Sequence, residues 1–319
     1  MNATAPARQL TVDVERPVLV LGVGRSGTSL LQSMLNAHPE LAFPPETHFF
    51  RRYVAPGAFE AWGEGERAAL RRLLEADDDF ARAGITPREL LAHPRAEAGP
   101  SGAFEALLEL TAQRAQKSRV GDKDPKNIDS LPALAEAFPG AFVIHLVRDP
   151  RDVLLSRTKA AWSAKRPWWT HPWIYREQLR HGGRMGRLLF GERYLELRYE
   201  DLLAEPEAKL RRLLRHVELD WDPAVLSFGE SAARLVDERE LAWKRETLGP
   251  LLAGNCGKWR EGLRPAQVAY CEEVCREAFQ LHGYEPSRPR RTHLRLLAAG
   301  MAPAAALAYE RELRRGARA

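Results

Sequence analysis

The feature that most constrains this chain is a short apolar run that ends in glycines and leads into an amphipathic segment. Residues 17–23 read PVLVLGV, a continuous apolar stretch typical of a strand buried on both faces. The residues that follow, GRSGTSLLQSMLNAHPEL, predict a tight turn and then a helix with one apolar face. A strand, a glycine turn and a helix open a βα unit, so the sequence predicts an α/β fold.

Two later segments repeat the strand-then-helix pattern. Phe142–Val147 is an apolar strand followed by RDPRDVLLSR, and Arg193–Tyr199 is a strand followed by DLLAEPEAKLRRLLRHV. A further strand end is expected near Arg119–Gly121. Strands that alternate with helices predict a three-layer sandwich around a central parallel sheet with right-handed crossovers. The carboxyl ends of such strands share one edge, where ligands bind in open α/β sheets.

Length and composition predict one large domain with an appendage. The chain has 319 residues, 45% hydrophobic and 29% charged, which excludes a disordered or fibrous protein. We divide it into a polar N-terminal segment (1–16), a main domain (17–285) and a basic C-terminal tail (286–319). Within the main domain, a helical insertion is expected at about 51–115 and a lid-like segment at about 161–186.

The positive charge of the chain lies mainly in its tail. The net charge is +5, but from Arg288 to the end eight Arg stand against two Glu, so residues 1–287 sum to −1. Nucleic-acid binding therefore has no support outside the tail. We expect the tail to be a solvated appendage or, alternatively, to contact an acidic partner, a membrane surface or a second copy in a homodimer.

The remaining compositional signals favour a cytoplasmic protein. A transmembrane segment is not expected, because no run of about 18 apolar residues is present, and the polar N-terminus does not read as a secretory signal. Three cysteines match no disulfide framework or metal signature. Reduced thiols are typical of the cytoplasm.

The glycine turn is a candidate anion site. Residues 22–29, GVGRSGTS, nearly match the phosphate-loop pattern GxxxxGK[ST], with Thr28 in place of the lysine. Glycines let backbone N–H groups converge and a helix N-terminus favours an anion, although a merely tight βα turn has the same glycines. The loop lacks the ammonium group that reaches the β- and γ-phosphates of a nucleoside triphosphate. Arg25 can supply a cation instead.

A second candidate anion site follows the strand at 142–147. Arg148 leaves the strand end and Ser156 lies about two helical turns later, so both can meet a phosphate if the turn folds back on the sheet edge. A guanidinium binds phosphate through two N–H bonds. The alternative is a structural pair of Arg148 with Asp149 or Asp152. Two anion sites at strand ends suggest one ligand with two phosphate-like ends.

On these motifs, the sequence resembles the sulfotransferase family that uses 3′-phosphoadenosine 5′-phosphosulfate (PAPS), over about residues 17–285. GRSGTSLL resembles the family's 5′-phosphosulfate loop and RDPRDVLLS its 3′-phosphate motif. YEDL at 199–202 is similar to the motif whose tyrosine lies near the adenine, and GKWR at 257–260 to the late loop that closes over the nucleotide. The resemblance implies a P-loop-NTPase-like sulfotransferase fold. The cofactor-binding residues that it implies are Gly24, Arg25, Ser26, Gly27, Thr28, Ser29, Arg148, Ser156, Tyr199, Gly257, Lys258 and Trp259.

The resemblance also implies residues for the transfer step. Arg25 stands where small-molecule enzymes commonly have lysine, which points to the protein-tyrosine and bacterial members of the family. Glu46 matches the glutamate that serves as base in the tyrosine-directed enzymes. Lys123 resembles the lysine that contacts the transferring sulfuryl group. Arg25 and Lys123 would stabilise the charge that develops during transfer.

Alternatives stay open at these positions. His48 is the alternative base, because its ordinary pKa suits neutral pH and, in an extended segment, it points to the same side as Glu46. A surface pair with Arg51 or Arg52 is the other interpretation of Glu46. For Lys123, the other interpretation is a surface turn with solvated charges.

The late loop and a tryptophan-rich segment leave further choices. The Arg-Lys-Gly expected near the 3′-phosphate is not evident in residues 251–259, LLAGNCGKW, so the contacts of Lys258 stay open. Trp259 is either a core residue or a contact of the adenine. Four further tryptophans either line the acceptor pocket or pack in the core: Trp162, Trp168, Trp169 and Trp173.

The sequence thus predicts an enzyme that transfers a sulfuryl group from PAPS to an acceptor hydroxyl, with adenosine 3′,5′-bisphosphate (PAP) as product and no metal required. The acceptor is a glycan, a lipid, a small metabolite or a peptide tyrosine. A P-loop-type kinase acting on a small molecule is one alternative, but it predicts a loop lysine and a carboxylate for Mg²⁺. A non-catalytic protein that binds a nucleotide or a sulfated ligand is the other, and it would need neither Glu46 nor Lys123.

Overall fold

A computed structural model describes residues 10–55, 59, 61–235, 254–287, 300–304, 306–307 and 309–311 of the chain. Most of the N-terminal segment 1–16 and of the tail 286–319 lies outside these residues, including seven of the eight arginines of the tail.

Five parallel strands form one sheet in the order β2-β3-β1-β4-β5. The strands are β1 (Asp13–Gly22), β2 (Leu41–Ala42), β3 (Arg119–Lys123), β4 (Phe142–Val147) and β5 (Tyr194–Arg198). The apolar runs of β1 and β4 are buried on both faces, as expected where helices shield a parallel sheet from water on both sides. The α/β class and the central parallel sheet predicted from the sequence are confirmed.

The strand boundaries differ from the sequence prediction at three places. Strand β1 begins at Asp13, inside the predicted polar segment, and its regular pairing with β3 starts only at Val18. Strand β2 was not predicted, because two residues carry no periodic pattern. Strand β3 runs on to Lys123, past the expected end at Gly121, and so places this lysine at the ligand edge of the sheet.

Helices pack against both faces of the sheet. The described helices are α1 (Thr28–Asn36), α2 (Glu64–Glu75), α3 (Asp78–Ala81), α4 (Pro87–Ala92), α5 (Pro100–Ala115), α6 (Leu131–Ala137), α7 (Pro150–Lys159), α8 (Ala161–Ala164), α9 (Thr170–Phe190), α10 (Tyr199–Ala204), α11 (Pro206–His216), α12 (Gly229–Leu235), α13 (Trp259–Gly262), α14 (Pro265–Val274) and α15 (Arg276–His282). Shorter turns are a π-helical turn at Phe50–Val54 and 3-10 turns at Pro94–Ala98, Pro125–Ser130, Gly191–Arg193 and Pro223–Leu226. None of the helices described is long and apolar enough to cross a membrane.

The side chains of β1 alternate between two apolar cores, which gives the domain its three layers. Leu19 and Leu21 pack in one core with helices α2 to α5, which lie within the expected helical insertion. Val18 and Val20 pack in the other core with α1 and α11. This alternation follows from the period of two along a strand.

Helix α9 takes up most of the segment that was expected to be lid-like. Twelve of its residues are buried, among them Trp173, whose indole N–H donates to the Tyr270 hydroxyl at 2.8 Å. Its glycine pair, typical of a loop in sequence, instead allows close approach: a Cβ at Gly182 would lie 2.5 Å from the Ile128 Cδ1 and 2.9 Å from the His145 Cε1. Glycine here permits packing against the sheet, so residues 170–186 form a fixed layer of the core.

The described part of the tail docks on the main domain. Residues 300–304, 306–307 and 309–311 are helical. Met301 and Ala302 pack against an apolar cluster that holds Val153 and Trp173. The Tyr309 hydroxyl donates to the Asp129 carboxylate at 2.9 Å. Met301, Ala302 and Tyr309 thus hold this part of the tail against the main domain, while its other described residues are exposed.

The close approach of α9 to the sheet predicts that Gly182→Ala destabilises the protein. The added methyl group has to displace buried side chains, at a cost of about 1–3 kcal/mol in the free energy of unfolding. Gly65→Ala in α2 is the matched control, because nothing lies within 4 Å of its Cβ position. That change should stabilise by about 0.5–1 kcal/mol. Urea unfolding measures both, and a Gly182→Ala protein as stable as the wild type would contradict the packing described.

Candidate functional site

The loop between β1 and α1 is built to turn backbone N–H groups toward a ligand. Arg25 and Gly27 have left-handed φ angles of 85° and 96°. A Cβ at Gly27 would lie 2.4 Å from the ring of Tyr199, so only glycine fits there. Helix α1 begins directly after Gly27, which has no side chain to cap the first turn. The free N–H groups and the helix dipole favour an anion at this point.

The structure brings the two candidate anion motifs together. The Arg25 Nε donates to the Ser156 Oγ at 2.9 Å, across 131 positions of sequence. The Arg148 Nη1 donates to the backbone oxygen of Arg25 at 3.2 Å. The left-handed φ of Arg25 is uncommon and strained for a residue with a Cβ, and such strain is typical of functional loops. Arg25, Ser156 and Arg148 therefore form one basic edge at the ends of β1 and β4.

Arg148 is held by groups other than the aspartates proposed as structural partners. Its guanidinium lies 4.4 Å from the centre of the Tyr199 ring, and its Nη2 donates to the backbone oxygen of Asn255 at 2.7 Å. Asp149 instead accepts the backbone N–H of Arg151 as the cap of α7 and pairs with the guanidinium of the same residue at 2.7 Å. Arg148 is thus directed toward the ligand edge rather than into an ion pair of the first turn of α7.

The late loop, residues 254–259, lies over Arg148 and Tyr199. The Asn255 side-chain amide donates to the Tyr199 hydroxyl at 2.9 Å. The Asp152 carboxylate accepts the backbone N–H groups of Gly257 at 2.7 Å and Trp259 at 2.9 Å. Sequence reasoning considered Asp152 only as a possible partner of Arg148, because a contact across 105 residues leaves no local signal.

The side chains of the late loop divide between solvent and core. Lys258 is exposed, and Trp259 is 5% exposed in an apolar cluster. The Arg151 guanidinium lies 3.8 Å from the centre of the Trp259 ring. This is the packing alternative for Trp259: the indole anchors the end of the loop.

A second group of charges lies where β3 ends. Lys123, its last residue, is 1% exposed and contacts the Glu46 carboxylate directly. Its Nζ also lies 3.4 Å from the Ser29 Oγ in the first turn of α1. The solvated surface turn suggested for Lys123 is therefore wrong. The cation instead joins the glutamate to the anion loop.

His48 lies beside this pair. Its Nδ1 is 2.8 Å from the Asp124 Oδ2 and 3.8 Å from the Glu46 Oε1. The Arg51 Nε donates to the same Asp124 oxygen at 2.9 Å. The suggested pairing of Glu46 with Arg51 or Arg52 is not found, because Arg51 pairs with Asp124 and Arg52 with two aspartates near α3. Asp124 is a site residue that sequence reasoning missed, although it directly follows Lys123.

Burial raises the pKa of both aspartates that flank Lys123, but their neighbouring charges have opposite effects. Burial alone would raise the pKa of Asp124, but His48 and Arg51 lower it well below its ordinary value, so this carboxylate stays ionised. Burial and the negative charge of Asp124 raise the pKa of Asp122 to about 7. The Asp122 carboxyl bonds the side-chain amide of Asn127 at 3.0 Å.

Three of these side chains also have the chemistry of a metal site. Ligand atoms of Glu46, His48 and Asp124 lie within 4.8 Å of one another, the one such group in the described part of the chain. Lys123 and Arg51, however, already pair with its two carboxylates. Cations in these places disfavour a bound metal ion.

On the other side of the anion loop, Gly24 lies against Trp162 and Arg157. A Cβ at Gly24 would be 3.6 Å from the Trp162 ring and 3.8 Å from the Arg157 Nη1. The Trp162 side chain is 44% exposed, whereas Trp173 is buried in the core. The Arg157 guanidinium is buried, and its Nε donates to the His171 Nδ1 at 3.2 Å. Of the tryptophans in this segment, Trp162 is thus the one that borders the loop with an exposed face.

Comparison with known families places these motifs in context. The model described as "Sulfotransferase family" matches residues 17–223. The Danio rerio protein named "Protein-tyrosine sulfotransferase 1" is 29% identical over 285 residues, which cover 84% of this chain and 72% of that protein. An uncharacterised protein of Aquifex aeolicus is 28% identical over 226 residues, which cover 67% of this chain but only 27% of that protein.

A solved structure shows the same fold. The sulfotransferase domain of the Synechococcus PCC 7002 olefin synthase superposes with a TM-score of 0.61 at 24% identity, covering 89% of this chain and 99% of that one. The expected P-loop-like sulfotransferase fold is thereby confirmed.

The raised pKa of Asp122 predicts that stability depends on pH. Because the folded state holds this proton more tightly, the stabilising effect is complete below about pH 4 and is lost as the pH rises through 7. Asp122→Asn removes the titration and keeps an oxygen for Asn127. Urea unfolding measures the free energy of unfolding of the variant minus that of the wild type. This difference should rise by about 2–4 kcal/mol between pH 4 and pH 8. Asp220→Asn, at an exposed position, is the control, and a difference that does not change with pH would contradict the prediction.

Proposed function

This chain belongs to the sulfotransferase family, and from that premise we propose that it transfers the sulfuryl group of PAPS to an acceptor hydroxyl. The observation that carries the proposal is the bond from Arg25 to Ser156, together with the bond from Arg148 to the Arg25 backbone. These contacts support one site for a donor with a phosphosulfate at one end and a 3′-phosphate at the other. Two guanidinium groups at one edge suit a ligand with negative charge at both ends.

The loop 22–29 would hold the phosphosulfate through its backbone N–H groups, with Ser26, Thr28 and Ser29 at the start of α1. Arg148 and Ser156 would bind the 3′-phosphate. The resemblance puts Tyr199 near the adenine. Tyr199 is 2% exposed, and its ring lies between Gly27 and Arg148. This packing supports a role of Tyr199 in fixing the Arg148 guanidinium.

For the transfer step, we assign the general base to Glu46. Its carboxylate would take the proton of the acceptor hydroxyl as the oxygen–sulfur bond forms and the bond from sulfur to the 5′-phosphate oxygen breaks, leaving PAP. Arg25 and Lys123 would offset the negative charge on the sulfuryl and bridging oxygens. The contact between Lys123 and Glu46 supports this arrangement, since it brings the base and the cation to one point.

His48 is the second candidate for the base. Asp124 holds its Nδ1, which would leave Nε2 to accept a proton. Because the His48 Nδ1 and the Glu46 Oε1 lie 3.8 Å apart, geometry allows either side chain to reach the same hydroxyl. Substitution of each side chain in turn distinguishes them, which provides the test below.

The acceptor is proposed by class only. The exposed face of Trp162 beside Gly24 supports an acceptor with an apolar or ring-shaped group next to its hydroxyl. Peptide tyrosine, the acceptor named for the Danio rerio relative, satisfies this, as do many glycans, lipids and small metabolites. Labelling a cell extract with ³⁵S-PAPS and identifying the product by mass spectrometry would decide among them.

The two other functions considered receive less support. A kinase would need a cation at the position of Thr28 and a carboxylate free for Mg²⁺, whereas Asp149 pairs with Arg151. A non-catalytic binding protein would not require the buried contact of Lys123 with Glu46.

We further propose that the protein works in the cytoplasm. Its three cysteines are free, and two of them, Cys271 and Cys275, are buried, which suits a reducing compartment. A homodimer or an acidic partner bound through the basic tail is also proposed, on the charge of that segment alone.

The nucleotide preference tests the proposed function. Calorimetry should show that PAP binds without Mg²⁺ and more tightly than ATP with Mg²⁺. Arg148→Lys should weaken PAP binding about tenfold, because lysine cannot donate two parallel bonds to a phosphate. Arg212→Lys, on the exposed side of α11, is the matched control. A preference for ATP with Mg²⁺ would rule out the proposal.

The base assignment is tested by turnover of the labelled product. Glu46→Gln should lower kcat by about 10²–10⁴-fold while PAP affinity stays nearly unchanged. Glu75→Gln, an exposed change in α2, is the control. If His48→Asn causes the larger loss of kcat, the base is His48 and the assignment to Glu46 is wrong.

A further inference from the structure

The late loop is attached to the rest of the protein mainly through its backbone. Three elements hold it: Arg148 at the end of β4 bonds the Asn255 carbonyl, Tyr199 at the start of α10 bonds the Asn255 side chain, and Asp152 in α7 bonds two N–H groups. Gly257 has a left-handed φ of 76°, a conformation that glycine adopts without strain. The loop therefore has a specific path over the basic edge.

Asp152 makes two of these attachments. Its carboxylate is buried, and each oxygen accepts one N–H group of the loop, at 2.7 Å from Gly257 and 2.9 Å from Trp259. Bonds from N–H groups to a carboxylate are stronger than bonds between neutral groups. The neighbouring Arg151 stacks on the Trp259 ring. Two consecutive residues of the first turn of α7 thus hold the end of the loop.

The first turn of α7 comes directly after Arg148 and Asp149 in the chain. The Nε of Arg148 is buried and has no hydrogen-bond partner among the described residues. Its Nη1 and Nη2 donate to the backbone oxygens of Arg25 and Asn255. A buried donor without a partner is costly unless a ligand supplies one. With the loop in place, a 3′-phosphate would find that donor in a site already shielded from water.

We propose that Asp152 is a positioning residue for the nucleotide, which keeps the loop 254–259 closed over Arg148 so that recognition of the 3′-phosphate depends on a carboxylate that does not touch the phosphate. The inference rests on the proposed function, because it takes the 3′-phosphate of PAPS as the ligand of Arg148. With both oxygens bonded to N–H groups, the Asp152 carboxylate is screened from the incoming phosphate. Burial raises the pKa of Asp152, and the charge of Arg148 acts against that rise.

The test separates the 3′-phosphate from the rest of the nucleotide. PAP and adenosine 5′-monophosphate (AMP) differ only by that group, so the ratio of their dissociation constants measures its contribution. Calorimetry should show that Asp152→Ala lowers the preference for PAP over AMP about tenfold or more, since two charge-assisted bonds are lost. Asp152→Asn keeps one acceptor oxygen and should fall between Asp152→Ala and the wild type.

Asp77→Asn is the matched control. The Asp77 side chain is only 8% exposed and also accepts two backbone N–H groups, from Asp79 and Phe80, but in the helical layer away from the nucleotide edge. The Asp77→Asn substitution should lower the melting temperature and leave the ratio of PAP to AMP affinity unchanged. A purely structural role of Asp152 would make the two aspartate variants alike.

A second measurement covers the case in which Asp152→Ala does not fold. Trypsin should cut after the exposed Lys258 faster in Asp152→Asn than in the wild type or in Asp77→Asn, and mass mapping identifies this cut. A folded Asp152 variant with the wild-type PAP preference and an unchanged rate of cleavage at Lys258 would overturn the inference alone. A wild-type protein that binds PAP no better than AMP would overturn the proposed function, and this inference with it.

Discussion

The guanidinium of Arg148 joins three segments that are far apart in sequence. It donates to the anion loop at Arg25 and to the late loop at Asn255, and it lies against the ring of Tyr199. Tyr199 in turn fills the space left by the missing side chain of Gly27. Because parallel strands bring their carboxyl ends to one edge, these segments meet without a long connection. The shape of the nucleotide edge depends on this one cation being held in place.

Buried charge at the neighbouring edge is balanced by pairs. Lys123 contacts Glu46, and Asp124 contacts both His48 and Arg51. Each pair lowers the cost of placing a charge away from water, whereas removal of one partner leaves the other buried and unpaired. The site is therefore preorganised electrostatically before any ligand arrives, which is the condition under which fixed charges stabilise a transition state well.

The sequence was informative where local pattern determines structure. Apolar runs located β1 and β4, and glycine spacing located the anion loop, since both signals lie within a few residues. Long-range contacts had no such signal, which is why the role of Asp152 and the bond from Asp124 to His48 were missed. The glycine pair in α9 misled because a glycine can serve either a turn or a close approach, and only the side chains of Ile128 and His145 distinguish the two.

The way the late loop is held has a consequence for sequence divergence. Asp152 bonds to backbone N–H groups, which almost every residue possesses, and Gly257 supplies the one conformation with a strict residue preference. Substitutions at an exposed position such as Lys258 can then accumulate without moving the backbone of the loop. Motif searches that rely on the side chains of this loop would lose it before its geometry is lost. That is consistent with a loop that lacks the family's Arg-Lys-Gly and still covers the basic edge.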